Sequence, residues 1–251
     1  AIVLVRDVRV MAGNINRVQN YGNVRNARKE MMQTMDLAAS QFEEQSFFEY
    51  HIYDLRRPTT IKNNQQKQVS LLEVSDVSAQ KQYIVRANEY YYWSNLLTAS
   101  EEKLPVSVIV TFKNEKANNM GMPLPGGIVR LYKEDDKGSL QFVGEDRIEH
   151  TPKDEDVELR IGEAFDVTSK RKQKDFRQIN NVTTEVEWDI KIHNHKDQDI
   201  TVDVIEALNG DWKILKSSHE YVKDDAFHLR FKVPLKKDEE VILTYRAQFK
   251  Q

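Results

Sequence analysis

The stretch VTTEVEWDIKI, residues 182–192, decides how this chain is to be read. Val182, Thr184, Val186, Trp188, Ile190 and Ile192 take every second position, and Thr183, Glu185, Glu187, Asp189 and Lys191 stand between them. Side chains alternate across a strand, so the pattern predicts one face turned to a core and one charged face turned to water. A helix would need its apolar residues three and four apart, and these are not.

The same period of two recurs on either side. Ile200, Val202 and Val204 show it, as do Phe227, Leu229, Phe231 and Val233, and then Val241, Leu243, Tyr245 and Phe249. Asn209-Gly210-Asp211 supplies a turn between such runs. Phe165 and Val167 alternate with Ala164 and Asp166, as a strand leading into this region would. About seven strands in about 95 residues predict an immunoglobulin-like β-sandwich over 161–251, with Trp188 on its inner face. The chain has no cysteine, so packing rather than a disulfide must hold the sheets together.

Before residue 160 the pattern is β again, in shorter pieces. AIVLVRDVRV, residues 1–10, reads as a buried strand, and FFEYHIYDL, residues 47–55, alternates after its first residue. Thr59–Ile61, Gln68–Glu73, Gln82–Val85, Tyr90–Trp93 and Val106–Lys113 read as further strands. Ile128–Lys133 and Leu140–Val143 read as a hairpin. One segment departs from this pattern. Met31, Met35, Ala38 and Phe42 fall four, three and four apart, which predicts a helix over residues 26–45. The fold class is therefore mainly β: a β-rich domain over 1–160, carrying a flexible or helical insertion near 17–46, followed by the sandwich.

Composition narrows function. Lysine and arginine number 37 against 40 acidic residues, a formal net charge of -3, so no basic field gathers nucleic acid. The missing cysteine excludes thiol catalysis and thiolate-bound zinc. No apolar run approaches the roughly 18 to 20 residues of a membrane-crossing helix. The opening residues are too short and too charged for a signal peptide, so the chain reads as a fragment or a processed product.

Four groups of residues are candidates for chemistry. His193 and His195, two apart on a strand, point to one side, and Asp197 and Asp199 add oxygens as a metal site would need. Their parity is opposite to that of Ile190 and Ile192, so they are expected to be solvated and to hold no metal. Glu145, Asp146, Glu149 and His150, with Asp154, Glu155 and Asp156, offer carboxylates. A glycosidase needs two of them flanking a cleft, and sequence neighbours on one strand rarely supply that. They are read as a charged edge that pairs with the basic cluster Lys170-Arg171-Lys172 and Lys174, itself expected to be solvated. GMPLPGG, residues 121–127, lacks the lysine of a phosphate loop and loses backbone donors to proline, so it reads as a rigid connection. Tyr91 and Trp93 would share one side of a strand as a candidate ligand surface for a sugar or a partner protein, although the reading preferred is that the core and the Met31–Phe42 helix cover both faces. No GxSxG or HExxH run occurs, no catalytic residue is assigned and no cofactor is implied.

Several runs resemble the DUF4139 family of bacterial proteins, which includes the mucoidy inhibitor A homologues. They are residues 123–176, beginning PLPGGIVRLYKEDDKG; VEWDIKIHNHK, residues 186–196; DWKILKSSHEYVKDDAFHLRFKVPL, residues 211–235; and VMAGNINRV, residues 10–18. The resemblance implies a β-rich domain in exported proteins, hence a periplasmic or secreted location, and brings no catalytic residue or cofactor with it. The function expected is a noncatalytic structural or protein-interaction module of the bacterial cell envelope. The alternatives are a carbohydrate-binding module using Tyr91 and Trp93, and a polysaccharide-acting hydrolase using the carboxylates between Glu145 and Asp156.

Overall fold

A computed structural model of the chain describes residues 42–47, 50–55, 60, 71–87 and 94–250. The strands are β1 (Phe42–Phe47), β2 (Tyr50–Leu55), β3 (Gln80–Arg86), β4 (Glu102–Leu104), β5 (Val106–Lys113), β6 (Gly127–Glu134), β7 (Leu140–Ile148), β8 (Asp156–Glu163), β9 (Val167–Asn180), β10 (Thr183–Asn194), β11 (Ile200–Ala207), β12 (Asp211–Ser217), β13 (Tyr221–Lys223), β14 (His228–Leu235) and β15 (Glu239–Lys250). Among the described residues the helical part is one short 3-10 turn, Lys116–Asn118. The mainly β class is what the structure has.

The chain divides into two compact units. One is Ala1–Ala79 with Phe112–Leu159, and the other is Gln80–Thr111 with Arg160–Gln251. Gln80–Thr111 thus belongs to the same unit as Arg160–Gln251. The reason is strand pairing: β3 lies parallel to β11, with Tyr83 opposite Val202 and Val85 opposite Val204.

In the C-terminal unit a five-stranded sheet runs β12-β15-β10-β9-β4, and a six-stranded sheet runs β13-β14-β11-β3-β5-β8. The stretch that opened the sequence reading is β10, antiparallel to β15 along its length with Trp188 opposite Tyr245. Its alternation is obeyed: Thr184, Val186, Trp188, Ile190, Ile192 and Asn194 are buried, and the residues between them are partly exposed. Val186, Trp188 and Ile190 from one sheet and Val204, Leu229 and Phe231 from the other share one apolar core, which makes this unit a β-sandwich. Each such side chain contributes about 1.5 to 3 kcal/mol by leaving water, offset by the entropy of ordering it. Two same-parity neighbours stay outside, because the strands begin after them: Phe165 precedes β9 at 94% exposure and Phe227 precedes β14 at 53%. The path is nested. β10 pairs with β15, β11 pairs with β14 inside that pair, and β12 returns beside β15, a jelly-roll kind of connection.

In the other unit β1 and β2 form an antiparallel hairpin from Phe42 opposite Leu55 to Phe47 opposite Tyr50. Phe42 to Gln45, assigned above to the end of a helix, are therefore strand: the alternating run Tyr50–Leu55 offers β1 a pairing partner, and tertiary pairing overrides local helical spacing. β6 and β7 form the expected hairpin, longer than read, from Gly127 opposite Ile148 to Glu134 opposite Leu140, with an irregularity between Leu131 and Tyr132. Leu71 to Glu73, expected as strand, are irregular. The strand read over 1–10, the helical face at Met31, Met35 and Ala38, the strand at Thr59–Ile61 and the aromatic run Tyr90–Trp93 lie outside the described residues, apart from Thr60.

Candidate functional site

The chemistry-bearing groups of the sandwich gather where β10 leaves the sheet. Asn194 is the last inward residue of β10 and is fully buried. Its amide donates to the carbonyls of Gln198 (2.9 Å) and Lys236 (2.8 Å), and its Oδ1 accepts from the Lys196 N–H (3.1 Å). One side chain thus fastens the β10–β11 turn to the β14–β15 turn. Asp238, in the latter turn, donates its N–H to the Lys196 carbonyl (3.2 Å) and takes φ 52°, a left-handed conformation that aspartate tolerates better than most residues. His195 N–H donates to the Asp166 carbonyl (2.8 Å), which ties the start of β9 to the same place.

On this frame His193 and His195 project outward together, as their parity requires. Their ring centroids are 3.8 Å apart at 38°. The Asp238 carboxylate lies 3.8 Å from His193 Nε2, and one ligand atom from each of the three residues lies within 4.8 Å of the others. The sequence grouped these histidines with Asp197 and Asp199. The structure brings Asp238 instead and commits Asp199 elsewhere: its carboxylate accepts from Lys236 Nζ (3.1 Å) and the Lys237 N–H (2.9 Å), which hold its pKa below the ordinary aspartate value. The signal for Asp238 lay in register. His193 stands opposite Glu240 and Asn194 opposite Glu239, so one step beyond the paired ends, in the turn before β15, Asp238 comes beside His195.

A second polar group sits inside the sandwich. Val167, Ser169, Arg171 and Gln173 are the inward residues of β9. Arg171 lies between the sheets, its Nη2 donating to Glu206 of β11 at 2.8 Å with both side chains fully buried. The guanidinium stacks 3.7 Å from the centre of the Trp188 ring, and Nη2 approaches the Tyr245 hydroxyl at 3.4 Å. The solvated basic edge read from Lys170-Arg171-Lys172 is thus half right. Lys170, Lys172 and Lys174 are exposed, but strand alternation turns Arg171 inward, where Glu206 compensates its charge.

The outer face of the same sheet carries a ladder of charges. Arg246 of β15 reaches Asp175 (2.7 Å) on β9 and Glu187 (2.7 Å) on β10, and Lys174 lies 3.5 Å from Asp189. The hydrogen bond from Arg246 holds the Asp175 carboxyl below its usual range.

The remaining candidates are placed as follows. Glu145 pairs with Arg130 across the β6–β7 hairpin (2.9 Å), not with the basic cluster of β9. His150 Nδ1 accepts the Gly126 N–H (3.1 Å). The GMPLPGG segment is held by Asn114, which is fully buried: its amide donates to the carbonyls of Met122 (2.8 Å) and Pro152 (2.8 Å), and its Oδ1 accepts the Gly121 N–H (3.1 Å). Gly121 has φ 94°, and a Cβ there would lie 2.9 Å from the Lys116 nitrogen, so a side chain is excluded on both counts. Tyr91 and Trp93 lie outside the described residues. Among the described residues no helix is long and apolar enough to cross a membrane.

No protein-family model, curated protein or solved structure matches this chain.

Proposed function

We propose that this chain is a noncatalytic structural or protein-interaction module of the bacterial cell envelope, periplasmic or secreted, of the kind its resemblance to the DUF4139 family implies. The observation that carries this reading is the flank of the sandwich where both sheets end. Among the described residues β12 is the edge of one sheet and β13 the edge of the other, so each has one strand neighbour there and offers backbone donors and acceptors on its outer side. They lie close together: Lys223 of β13 stands 4.1 Å from the Trp212 ring of β12, and the Trp212 indole donates to the Ala226 carbonyl (2.9 Å). Along this flank Leu215, Tyr221, Val222 and Phe227 are exposed, and residues 214–221 line a groove. An open strand edge beside apolar side chains suits an extended segment of a partner protein, which adds a strand through main-chain bonds and seats alternate side chains beside it. An immunoglobulin-like description fits the inward Trp188 and the seven strands after residue 161, β9, β10, β15 and β12 facing β11, β14 and β13, whereas the added strands β3, β4, β5 and β8 and the nested path are its own.

The test is to capture proteins from an envelope extract on the immobilised chain, purify the one recovered, and measure its affinity for the parent and for Leu215→Asp with Val222→Asp. At least tenfold weaker binding by the variant, with an unchanged melting temperature, is expected. Equal binding by both forms would remove the flank from the reading. Saccharide release from envelope polysaccharide by the parent would replace the reading with the hydrolase alternative.

A further inference from the structure

We propose that His193, His195 and Asp238 form a binding site for one divalent transition-metal cation, of the zinc, nickel or copper class, at the end of the C-terminal sandwich. The donor set argues first. Two imidazoles with one carboxylate suit these ions, whereas magnesium and calcium prefer all-oxygen surroundings. The three ligand atoms already lie within 4.8 Å of one another. A cation bound at the usual 2.0 to 2.2 Å would need only a small inward movement of exposed side chains.

Placement argues second. His193 is fixed on β10, whose register with β15 is continuous to its end, and His195, one residue past that end, is held by its N–H bond to the Asp166 carbonyl (2.8 Å). Asp238 is fixed by its N–H bond to the Lys196 carbonyl, and Asn194 locks the two turns to each other from below. Ordering ligands from different loops is a main cost of building such a site, and here the frame has met it through a fully buried amide. Charge argues third. Three neighbouring cations are engaged by acids: Lys191 with Glu240 (3.4 Å), Lys196 with Asp166 (3.2 Å) and Lys236 with Asp199 (3.1 Å). The Asp238 carboxylate, 83% exposed, can therefore turn toward the imidazoles with little competition. Three protein ligands leave at least one position of a tetrahedral ion open, to water or to a donor from another molecule.

The experiment is calorimetric titration of the purified chain with zinc chloride in a non-chelating buffer, repeated for His193→Ala, His195→Ala and Asp238→Asn. His228→Ala serves as control, because His228 forms a separate pair with Asp225 at 2.7 Å. One saturable site per chain is expected, with at least tenfold weaker binding in either of the first two variants, a few-fold loss in the third and none in the control. Zinc should raise the melting temperature of the parent and leave that of His195→Ala unmoved, while magnesium moves neither. Because all three ligands are outside the core, each variant should melt with the parent in the presence of chelator. Copper(II) loaded at one equivalent should show hyperfine coupling to two nitrogens, and to one in His195→Ala. Failure to saturate below 1 mM zinc, binding undiminished in His193→Ala and His195→Ala, or loss of binding in His228→Ala would each overturn the site.

Discussion

Arg171 and Arg246 stand on strands of the same sheet and reach carboxylates at nearly the same distance, 2.8 Å for Glu206 and 2.7 Å for Asp175 and Glu187. Arg171 faces the core with no exposed side-chain area, and Arg246 faces outward at 17%. The bond lengths are alike, but their consequences differ. Outside, water and a ring of other charges can replace a lost partner, so no single pair matters much. Inside, neither charge has water to return to, so the pair is costly to break even where an apolar pair would fit as well. Stacking on Trp188 ties Arg171 further to the packing around it.

The largest effect should come from Trp188→Ala, which removes the indole from the core and from the face of Arg171. A loss of about 4 to 5 kcal/mol is expected by urea denaturation, at the upper end for such truncations. Next is Glu206→Leu, which removes the carboxylate that faces the buried guanidinium and should cost about 3 to 4 kcal/mol, insensitive to salt. Combining it with Arg171→Met should recover most of that loss. A double variant as unstable as the sum of the two single ones would break the contrast between inside and outside. Third is Asn194→Ala, which leaves the carbonyls of Gln198 and Lys236 without their donor and should cost about 2 to 3 kcal/mol. Smallest is Arg246→Ala, about 1 kcal/mol, shrinking toward zero in molar salt. Its pH signature is specific. The Asp175 pKa is depressed in the folded state, so the stability it supplies is fully present above the ordinary aspartate value of about 3.9. That stability is lost as pH falls through the lower folded value. Parent and Arg246→Ala should therefore converge in stability as acid is added, and a gap constant with pH would contradict the assignment.

The same contrast shows what could be read from the chain and what could not. β10, β11, β14 and β15 announced themselves because their inward residues are apolar, and Trp188 was placed by parity alone. β9 alternates as strictly as β10 from Val167 to Lys174, but Ser169, Arg171 and Gln173 face in, so no hydrophobic period marks them. Their partners, Glu206 on β11 and the backbone at Ser94 and Leu96, are far away in sequence. At the sandwich end the histidine pair and its outward direction were legible. Asp238 was not, because nothing local links it to His195 until the β10–β15 register is known. The end of the helix reading, Phe42 to Gln45, failed for a related reason: apolar residues at helical spacing say nothing of a strand waiting at residue 50.

The parallel pairing of β3 with β11 sets a schedule for the growing chain. β3 leaves the ribosome with β11, one of its two sheet neighbours, far from being made, and although β5 follows within thirty residues, residues 87–199 must be made before Val202 can take its place beside Tyr83. At about 5 to 20 residues per second that delay is roughly 6 to 23 s, long compared with the microseconds in which hairpins form. During it the β1–β2 and β6–β7 hairpins and the β3–β5 pair, whose contacts are local, can close, while the edge of β3 that belongs to β11 and the apolar face that packs in the finished sandwich wait uncovered. The period of greatest exposure to aggregation or to a chaperone is therefore written into the order of the strands, and a chain in which residues 80–111 were moved next to residue 160 would shorten it.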